Sequence, residues 1–351
     1  MVKKIRVGVL SAGAWSVSTH IPELIKHDDV ELVAVTNLNL AIAKKIQSQF
    51  GFIKASDKWD EVLKNNLDAV IVSSPPIAHE EMVIAALRSG AHVLCEKPFA
   101  LNANSAANMV SAAQASNRSI LVGYGWAFTD IFLRAKELIS SQVIGKVEFA
   151  TLGITCGIRD LLEGRVEQPW QQKEMISEKQ TYMNPAVAGG GAIGTTLSHS
   201  LGLLIHILED SFEWIAGSTY PEGEKLDFHE SVSGKLRGGA VVNMYCTSTF
   251  GSAPHVSWTF EAFGPKGDIR VDFPNRKITF HGGAGDSWVE EFSDAGVAYK
   301  SYMPTFLLLE TARGKNIPSG CESWIAQRVV EATDGILRSI KTRSFQSLSL
   351  K

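Results

Sequence analysis

The sequence predicts an α/β fold with two domains, a Rossmann domain followed by an α+β domain. Short apolar runs alternate with helical segments through the first 124 residues, which is typical of a doubly wound parallel sheet. Further on, stretches that alternate apolar and polar residues predict a large, open, mostly antiparallel sheet with one exposed face. Because 351 residues exceed what a single core usually serves, we place the domains at residues 1–124 and 125–351.

Composition and charge argue against several classes of function. The formal net charge is −3 and no basic block occurs, so no nucleic-acid partner is expected. Four widely spaced cysteines without a CxxC pair argue against a zinc site or a disulfide framework and fit a reducing cytosol. The apolar run near the N-terminus is too short for a signal peptide, and no segment approaches the ~18 apolar residues of a membrane span. We therefore expect a cytoplasmic protein without a membrane partner.

The first strand and helix carry an altered dinucleotide-binding fingerprint. A strand at 5–10 leads into the turn 11–16 and then into a helix that runs to about residue 27. The spacing matches G-x-G-x-x-G, but only the middle glycine, Gly13, is present, and it is the one that lets a pyrophosphate approach the helix N-terminus. On its own the match is weak, and a plain strand–turn–helix fits about as well. The candidate cofactor-binding residues of this turn are Ser11, Gly13, Ala14, Trp15 and Ser16.

The end of the second strand bears on the choice between NAD and NADP. This strand, at 30–35, ends at Thr36-Asn37, where the fingerprint expects an acidic residue on the adenosine ribose. Asn37 can hydrogen-bond to a 2′-hydroxyl but does not repel a 2′-phosphate, and no arginine stands beside it to attract one. Either NAD or NADP is therefore compatible with Asn37, and the missing positive charge favours NAD.

The following elements continue the alternation of strands and helices. A helix at about 39–50 ends at Gly51, a usual C-terminal stop, and a short helix follows around 57–64. A strand at 69–72 precedes a helix that Gly90 ends. A further helix at 105–115 and a strand at 120–124 complete the predicted Rossmann domain.

A charged pair follows the apolar run 91–95, which reads as a buried strand. Glu96 and Lys97 stand directly at the carboxyl end of that run, before Pro98, and this is the edge of an open parallel sheet where ligands bind. A lysine there can donate to a substrate oxygen or carry a proton, provided that its surroundings lower its pKa. The alternative is a surface Glu-Lys pair in a proline turn.

Three elements of the chain resemble the glucose–fructose oxidoreductase / inositol dehydrogenase (Gfo/Idh/MocA) family. They are the turn 11–16, the segment 74–79 in place of the family's T-P-N-x-x-H, and the helix-Gly-strand-Glu-Lys-Pro block at 84–98. The resemblance extends over essentially the whole chain, with Ser11, Ser16 and Pro76 departing from the family pattern. It implies NAD(P)-dependent oxidoreductase activity. It also implies further cofactor-binding residues, namely Ser74, Pro75, His79, Glu96 and Lys97.

A triple glycine at 189–191 precedes a predicted helix on which Thr195 and His199 lie one turn apart, and therefore on one face. The family motif has an aspartate where Thr195 stands and a histidine at His199, so the histidine is kept and the carboxylate is lost. A histidine on a helix is by default a packing residue, but the triple glycine at the family's spacing favours a catalytic role. A zinc site at His199 and His206 lacks a suitably spaced third ligand, so no metal is predicted.

Aromatic residues are candidates to line the substrate cleft. Trp15, Trp126 and Trp170 could stack on the apolar face of a sugar ring, whereas Trp214, Trp258 and Trp288 are assigned to the core. The long polar segment 156–188 is predicted to be a substrate lid. The candidate substrate-binding residues are Trp126, Trp170, Tyr182 and Thr195.

Two functions remain open at this point. In the first, hydride passes between a nicotinamide and a ring carbinol of a sugar, glycoside or cyclitol, with Lys97 and His199 on either side of the carbinol oxygen. In the second, the protein is a catalytically silent, dinucleotide-binding regulator, because residues 125–126, 133–140 and 194–196 together with His199 are similar to the fungal galactose-regulon repressor branch. That branch lacks the Glu-Lys-Pro block, which favours the enzyme. The family resemblance also implies a homodimer or homotetramer that pairs through the open sheet.

Overall fold

The computed structural model describes residues 4–165, 180–222, 226–249 and 256–349. Within these ranges, six parallel strands form the first sheet in the order β3-β2-β1-β4-β5-β6. The predicted parallel sheet is therefore confirmed. Its strands are β1 (Ile5–Leu10), β2 (Val30–Thr36), β3 (Lys54–Ser56), β4 (Ala69–Val72), β5 (His92–Cys95) and β6 (Ile120–Val122).

The central strands are continuous apolar runs because both faces of this sheet are covered. Every residue of β4 is buried, and helices pack on the sheet from either side. The strand order reverses between β1 and β4, which opens a crevice at their carboxyl ends. The helices of this half are α1 (Ile21–Leu24), α2 (Leu40–Phe50), α3 (Trp59–Leu63), α4 (His79–Arg88) and α5 (Ala103–Ser116).

Local signals define the ends of these helices. The side chain of Asn39 accepts a hydrogen bond from the backbone N–H of Ala41 and so caps α2. Gly51, with φ of 80°, takes the left-handed conformation that ends α2, as the sequence predicts. A π-helical turn, Ser16–His20, leads directly into α1, so the helix after the dinucleotide turn is continuous.

The second sheet is mostly antiparallel, as predicted. Nine described strands lie in the order β14-β13-β12-β11-β7-β10-β9-β8-β15, and β7 and β10 are the parallel pair among them. Exposed and buried residues alternate along β10, so one face covers the core and the other is open. The strands are β7 (Phe149–Cys156), β8 (Phe212–Tyr220), β9 (His229–Leu236), β10 (Val241–Ser248), β11 (Val256–Gly264), β12 (Gly267–Asp272), β13 (Lys277–Gly282), β14 (Ser287–Glu291) and β15 (Gln346–Ser347).

The tryptophans assigned to the core differ in burial. Trp258 is fully buried, as predicted, whereas Trp214 and Trp288 are half-buried. Strands β14 and β15, at the two edges of the second sheet, were not anticipated from the sequence. The helices of this half are α6 (Asp130–Ser140), α7 (Arg159–Leu162), α8 (Gln180–Met183), α9 (Pro185–Ala188), α10 (Ser198–Leu208), α11 (Asp294–Val297), α12 (Met303–Ala312) and α13 (Ser323–Thr342).

The end of the chain returns to the first sheet. Helix α12 packs against β4, β5 and β6, and the backbone N–H of Val122 donates to the carbonyl of Cys321 at 2.8 Å. Helix α13 packs on β8 and α10 of the second half and also on α5 of the first. The two halves are therefore joined by the packing of the C-terminal helices as well as by the chain that crosses between them near residue 124.

One described stretch, Pro185–Leu208, is long and apolar enough to cross a membrane by length and composition. The sequence expectation overlooked it. In this fold 83% of its most apolar window is buried, as is usual for the core helix of a globular domain. Its apolar character follows from its position between the second sheet and helices α6 and α13.

Candidate active site

Lys97 lies where the two halves of the chain meet. The buried strand β5 ends at Cys95, so Glu96 and Lys97 emerge at the carboxyl edge of the first sheet. The Lys97 ammonium donates a hydrogen bond to the backbone carbonyl of Thr195, at 3.1 Å. Burial lowers the pKa of Lys97 below its ordinary value, and the charge of Glu96 opposes this effect. The predicted approach of Lys97 to the helix of His199 is thus present in the structure.

Glu96 is held by protein donors on both of its carboxylate oxygens. Oε1 accepts from the indole N–H of Trp15 at 3.0 Å and lies 2.9 Å from Nε2 of His20, while Oε2 accepts from the backbone N–H of Lys97 at 3.2 Å. Nδ1 of His20 lies 2.8 Å from the hydroxyl oxygen of Thr305 on α12. Burial alone would raise the pKa of Glu96, but the hydrogen bond and charge of His20 and the charge of Lys97 keep it below its ordinary value.

A glycine makes room for this carboxylate. A Cβ atom at Gly123, just after β6, would lie 2.6 Å from Oε1 of Glu96, which is closer than any real contact. Glu96 is thus a buried carboxylate, and its negative charge acts on the neighbouring Lys97. Its predicted contact with the cofactor stays a prediction.

His199 and Thr195 lie one turn apart, as predicted, with Thr195 in a π-helical turn, Ile193–Leu197, and His199 near the start of α10. The Thr195 hydroxyl donates to the carbonyl of Gly191 at 2.7 Å. The His199 ring meets Tyr124 and Tyr299 edge-on, with centroid distances of 6.0 and 6.1 Å.

The imidazole of His199 is poised as a neutral group. Its Nδ1 atom is buried, and no group among the described residues hydrogen-bonds to it. Burial, and then the charge of Lys97, lower the pKa of His199 well below its ordinary value. A neutral imidazole can accept a hydrogen bond from a substrate hydroxyl at one ring nitrogen or donate one from the other.

The conformation of the turn 11–16 is compatible with a bound dinucleotide, the ligand that the glycine spacing predicts. Ser11 adopts a left-handed conformation with φ of 55°, and its backbone N–H donates to the Thr36 hydroxyl at 2.9 Å. Apart from Gly13 itself and its two neighbours in the chain, no described residue has an atom within 4 Å of where a Cβ on Gly13 would stand, so the backbone is open to a ligand there. Ser16 is buried and hydrogen-bonds to the Ser73 hydroxyl, which joins the helix to the end of β4.

Ser74 and His79 lie on the opposite side of the crevice from that turn. The hydroxyl of Ser74 is buried and has no hydrogen-bond partner within the described ranges. The His79 ring is fully buried, and its nitrogens face the carbonyls of Ser74 and Phe99 at 2.8 and 3.1 Å. His79 thus holds two loops together, whereas Ser74 and Gly13 leave donors and space for the phosphates and ribose of a dinucleotide.

Asn37 is already engaged by the turn. Its amide N–H₂ donates to the carbonyl of Ala12 at 2.8 Å, and its amide oxygen accepts from the backbone N–H of Asn39 at the same distance. These bonds fix the loop after β2 against the dinucleotide turn. They leave one N–H and one lone pair of the amide for a ribose.

Aromatic rings line the space above Lys97 and His199. The rings of Trp126 and Tyr299 lie 4.6 Å apart, and Trp126 packs edge-on against the buried Trp258. Trp15 reaches Tyr299 from the first half, at 6.4 Å. Tyr299 was missed from the sequence, because nothing in its neighbourhood forms a motif. It belongs to the site through the fold alone.

The predicted lid is described in part. Tyr182 on α8 is half-buried, and burial together with the charge of Glu96 raises its pKa to about 12. Trp170 and the rest of 166–179 lie outside the described residues. The part of the chain that the structure describes holds no cluster of three metal-ligating side chains. Burial lowers the pKa of His206 to about 4, and Lys136 donates to the His206 carbonyl.

Two family models match the chain. One, described as an oxidoreductase family with an NAD-binding Rossmann fold, matches residues 5–124. The other, described as a GFO/IDH/MocA C-terminal domain, matches residues 132–270.

Characterised relatives are similar over much or part of the chain. An inositol 2-dehydrogenase/D-chiro-inositol 3-dehydrogenase of Shouchella clausii is 25% identical over 346 residues, or 93% of this chain and 90% of that protein. A D-glucoside 3-dehydrogenase of Escherichia coli is 28% identical over 42% of each chain. Among solved structures, a levoglucosan dehydrogenase with NADH and levoglucosan has a TM-score of 0.80 at 18% identity, covering 99% of this chain and 100% of that one. At that identity the likeness establishes the fold.

Proposed function

The chain belongs to the GFO/IDH/MocA oxidoreductases, and on that premise we propose that it transfers hydride between a nicotinamide and a ring carbinol of a sugar, glycoside or cyclitol. The observation that carries the proposal is the hydrogen bond from Lys97 to the Thr195 carbonyl, one turn from His199. It brings the proton-carrying group of the first half to the histidine of the second. The relatives that act on inositols and glucosides support the same substrate class.

The side chains divide the work at the substrate oxygen. When bound, the nicotinamide cofactor accepts or supplies the hydride. Lys97, with its pKa lowered by burial, takes the carbinol proton in the oxidation direction or returns it in reduction. His199, as a neutral imidazole, would hold the same oxygen by a hydrogen bond. Rings such as Trp126 and Tyr299 give the sugar an apolar surface on which to stack.

For the cofactor, the turn at Gly13 and the hydroxyl of Ser74 are the features that would receive the dinucleotide. We infer NAD in preference to NADP. The supporting observation is that the loop after β2 reads Asn37-Leu38-Asn39-Leu40 and presents no cation to a 2′-phosphate. The cytoplasm as location and a homodimer or homotetramer as assembly remain part of the proposal.

The test is an absorbance assay at 340 nm with NAD and with NADP against a panel of sugars, glycosides and cyclitols. Turnover that Lys97→Met abolishes supports the dehydrogenase. If the protein binds dinucleotide tightly but turns over nothing in the panel, the silent regulator is favoured instead. The sequence feature that supports this alternative is Thr195, which stands where the family motif has an aspartate.

A further inference from the structure

Asp227 forms hydrogen bonds with the backbone of the glycine loop that precedes the helix of His199. Its carboxylate accepts from the backbone N–H of Gly191 at 2.9 Å and from that of Ile193 at 2.6 Å. Its own backbone carbonyl accepts from the N–H of Ala192 at 3.0 Å. Three consecutive amides are therefore bound by one residue, and we call this arrangement the Asp227 clamp. No sequence motif marks Asp227, which precedes β9.

The clamp requires glycine at the loop. A Cβ atom on Gly191 would lie 2.3 Å from the Asp227 carbonyl oxygen, and one on Gly194 would lie 2.5 Å from the carbonyl of Gly189. Backbone approaches this close are possible only without a side chain. Gly191 thus permits the contact with Asp227, and Gly194 permits the close approach of the loop to Gly189.

Hydrogen bonds through Thr195 connect the Asp227 clamp to the ammonium of Lys97. The carbonyl of Gly191 accepts from both the hydroxyl and the backbone N–H of Thr195, at 2.7 and 3.1 Å. The carbonyl of Thr195 in turn accepts from Lys97. A shift of Gly191 would consequently move the acceptor that positions Lys97, and it would also move the start of the helix that carries His199.

A second carboxyl group lies behind the clamp. Glu230 is 3% exposed, and within the described residues neither of its carboxyl oxygens has a hydrogen-bond partner. Burial, and then the adjacent carboxylate of Asp227, raise the pKa of Glu230 to about 10, so it is a neutral acid at physiological pH. The negative charge at this place is therefore carried by Asp227, whose two oxygens both face backbone donors.

We propose that Asp227 is a positioning residue for catalysis, holding the Gly191–Thr195 turn so that Lys97 and His199 meet the substrate oxygen in one geometry. In this protein the carboxylate that holds the turn belongs to Asp227, just before β9, whereas residue 195 is a threonine and has only a hydroxyl. The inference rests on the proposed dehydrogenase function for its kinetic part. Its structural part concerns the loop itself.

The test compares Asp227→Asn with Glu230→Gln and Asp210→Asn. Asparagine has nearly the same shape as aspartate but turns an N–H₂ group toward one of the two backbone donors. Glu230→Gln replaces a neutral acid with a neutral amide. Asp210→Asn alters another carboxylate that accepts from two backbone N–H groups, those of Ser211 and Gly238, beyond the end of α10 opposite His199, and so controls for the loss of such a contact outside the site.

We expect Asp227→Asn to lower kcat roughly 10- to 100-fold while the affinity for the dinucleotide changes less than about twofold, because misplacement of reacting groups by about 1 Å costs of that order. Amide hydrogen exchange across 189–199 should accelerate in this variant. Glu230→Gln and Asp210→Asn should leave both kcat and the exchange across 189–199 close to wild type. Should Asp227→Asn not fold, Asp227→Ser keeps one acceptor oxygen and should show the same pattern more weakly.

Unchanged exchange across 189–199 in Asp227→Asn would overturn the clamp, and unchanged kcat would overturn its role in positioning. An equal loss of kcat in Asp210→Asn would reduce the effect to general destabilisation. If the wild-type protein turns over no substrate, the dehydrogenase assignment fails, while the exchange experiment still decides whether Asp227 holds the loop.

Discussion

The Lys97 ammonium lies 3.1 Å from the carbonyl oxygen of Thr195, so a hydrogen bond joins the carboxyl edge of the parallel sheet to the helix of the second half. The acceptor is a neutral amide oxygen. It positions the ammonium without the full charge compensation that a carboxylate would give, and burial can then lower the pKa of Lys97. This combination suits a group that must exchange a proton near neutral pH.

Replacing Lys97 with methionine keeps most of the side chain's length and its apolar stem, and removes its donor and its proton. We expect turnover to fall by ~100- to 10,000-fold, the usual contribution of general acid–base assistance, with dinucleotide binding retained. The measurements are kcat at 340 nm and the dissociation constant of the dinucleotide.

Lys136→Met is a matched control, because Lys136 also donates to a backbone carbonyl, that of His206, but outside the site. It should retain turnover close to wild type. Wild-type turnover in Lys97→Met itself would show that the proposed chemistry is wrong.

His199→Asn should cause a loss similar to that of Lys97→Met, because the two side chains act on one oxygen. The double variant should then cost far less than the product of the single losses, as for residues that work as a unit. A double-mutant cycle in kcat measures this directly. Strictly multiplicative losses would show that the two residues act at separate places.

The pKa of His199 should depend on Lys97. Burial and the charge of Lys97 both lower it, so the variant Lys97→Met should raise the pKa toward its ordinary value of 6.5 while the burial effect remains. Nuclear magnetic resonance titration of the imidazole in the two proteins gives the comparison. A His199 pKa that does not move would mean that the ammonium does not face the ring.

Much of this site was predictable from sequence, and the reasons are local. Strand β5 followed by Glu96-Lys97, and Thr195 one turn before His199, are short-range patterns that a single segment encodes. Contacts between distant segments left no such pattern. His20 and Thr305, which are 285 residues apart, meet at Glu96, and Asp227, which precedes β9, reaches Gly191 on the glycine loop.

Glu96 should contribute to stability in a pH-dependent way. Because its pKa is lower in the folded protein, its contribution is present above about pH 4.5 and is lost as the pH falls through the folded-state value. Glu96→Gln should lower the free energy of unfolding at pH 7 by about 1–3 kcal/mol, since buried donors lose a charged acceptor.

Urea unfolding at pH 7 and at acid pH measures this, and the difference between the two proteins should shrink as the pH falls. Glu137→Gln, which removes an exposed ion pair with Arg134, should cost at most about 1 kcal/mol. A constant difference at every pH would mean that the charge of Glu96 is not what stabilises the fold.

Asn37→Asp should shift cofactor preference toward NAD. A carboxylate accepts from a ribose 2′-hydroxyl and repels a 2′-phosphate, so the ratio of the NADP to the NAD dissociation constant should rise. The variant also replaces the amide donor to the Ala12 carbonyl with an acceptor, so both affinities are expected to fall somewhat. An unchanged ratio would indicate that residue 37 does not face the ribose.

The open face of the second sheet should pair with its copy in a closed, symmetric assembly. On this face the Tyr245 ring lies over Gly153 on the neighbouring strand, and its hydroxyl lies 3.0 Å from that of Thr259. The exposed Asn243 stands two residues before Tyr245 on β10, and a lysine there would place like charges near each other across a symmetric contact. Light scattering at micromolar concentration should therefore show a dimer or tetramer for the wild type and a smaller species for Asn243→Lys. The control is Gln114→Lys on α5, away from the sheet, which should leave the mass unchanged. A monomeric wild type would rule out this assembly, and an unchanged mass in Asn243→Lys would move the contact to another face.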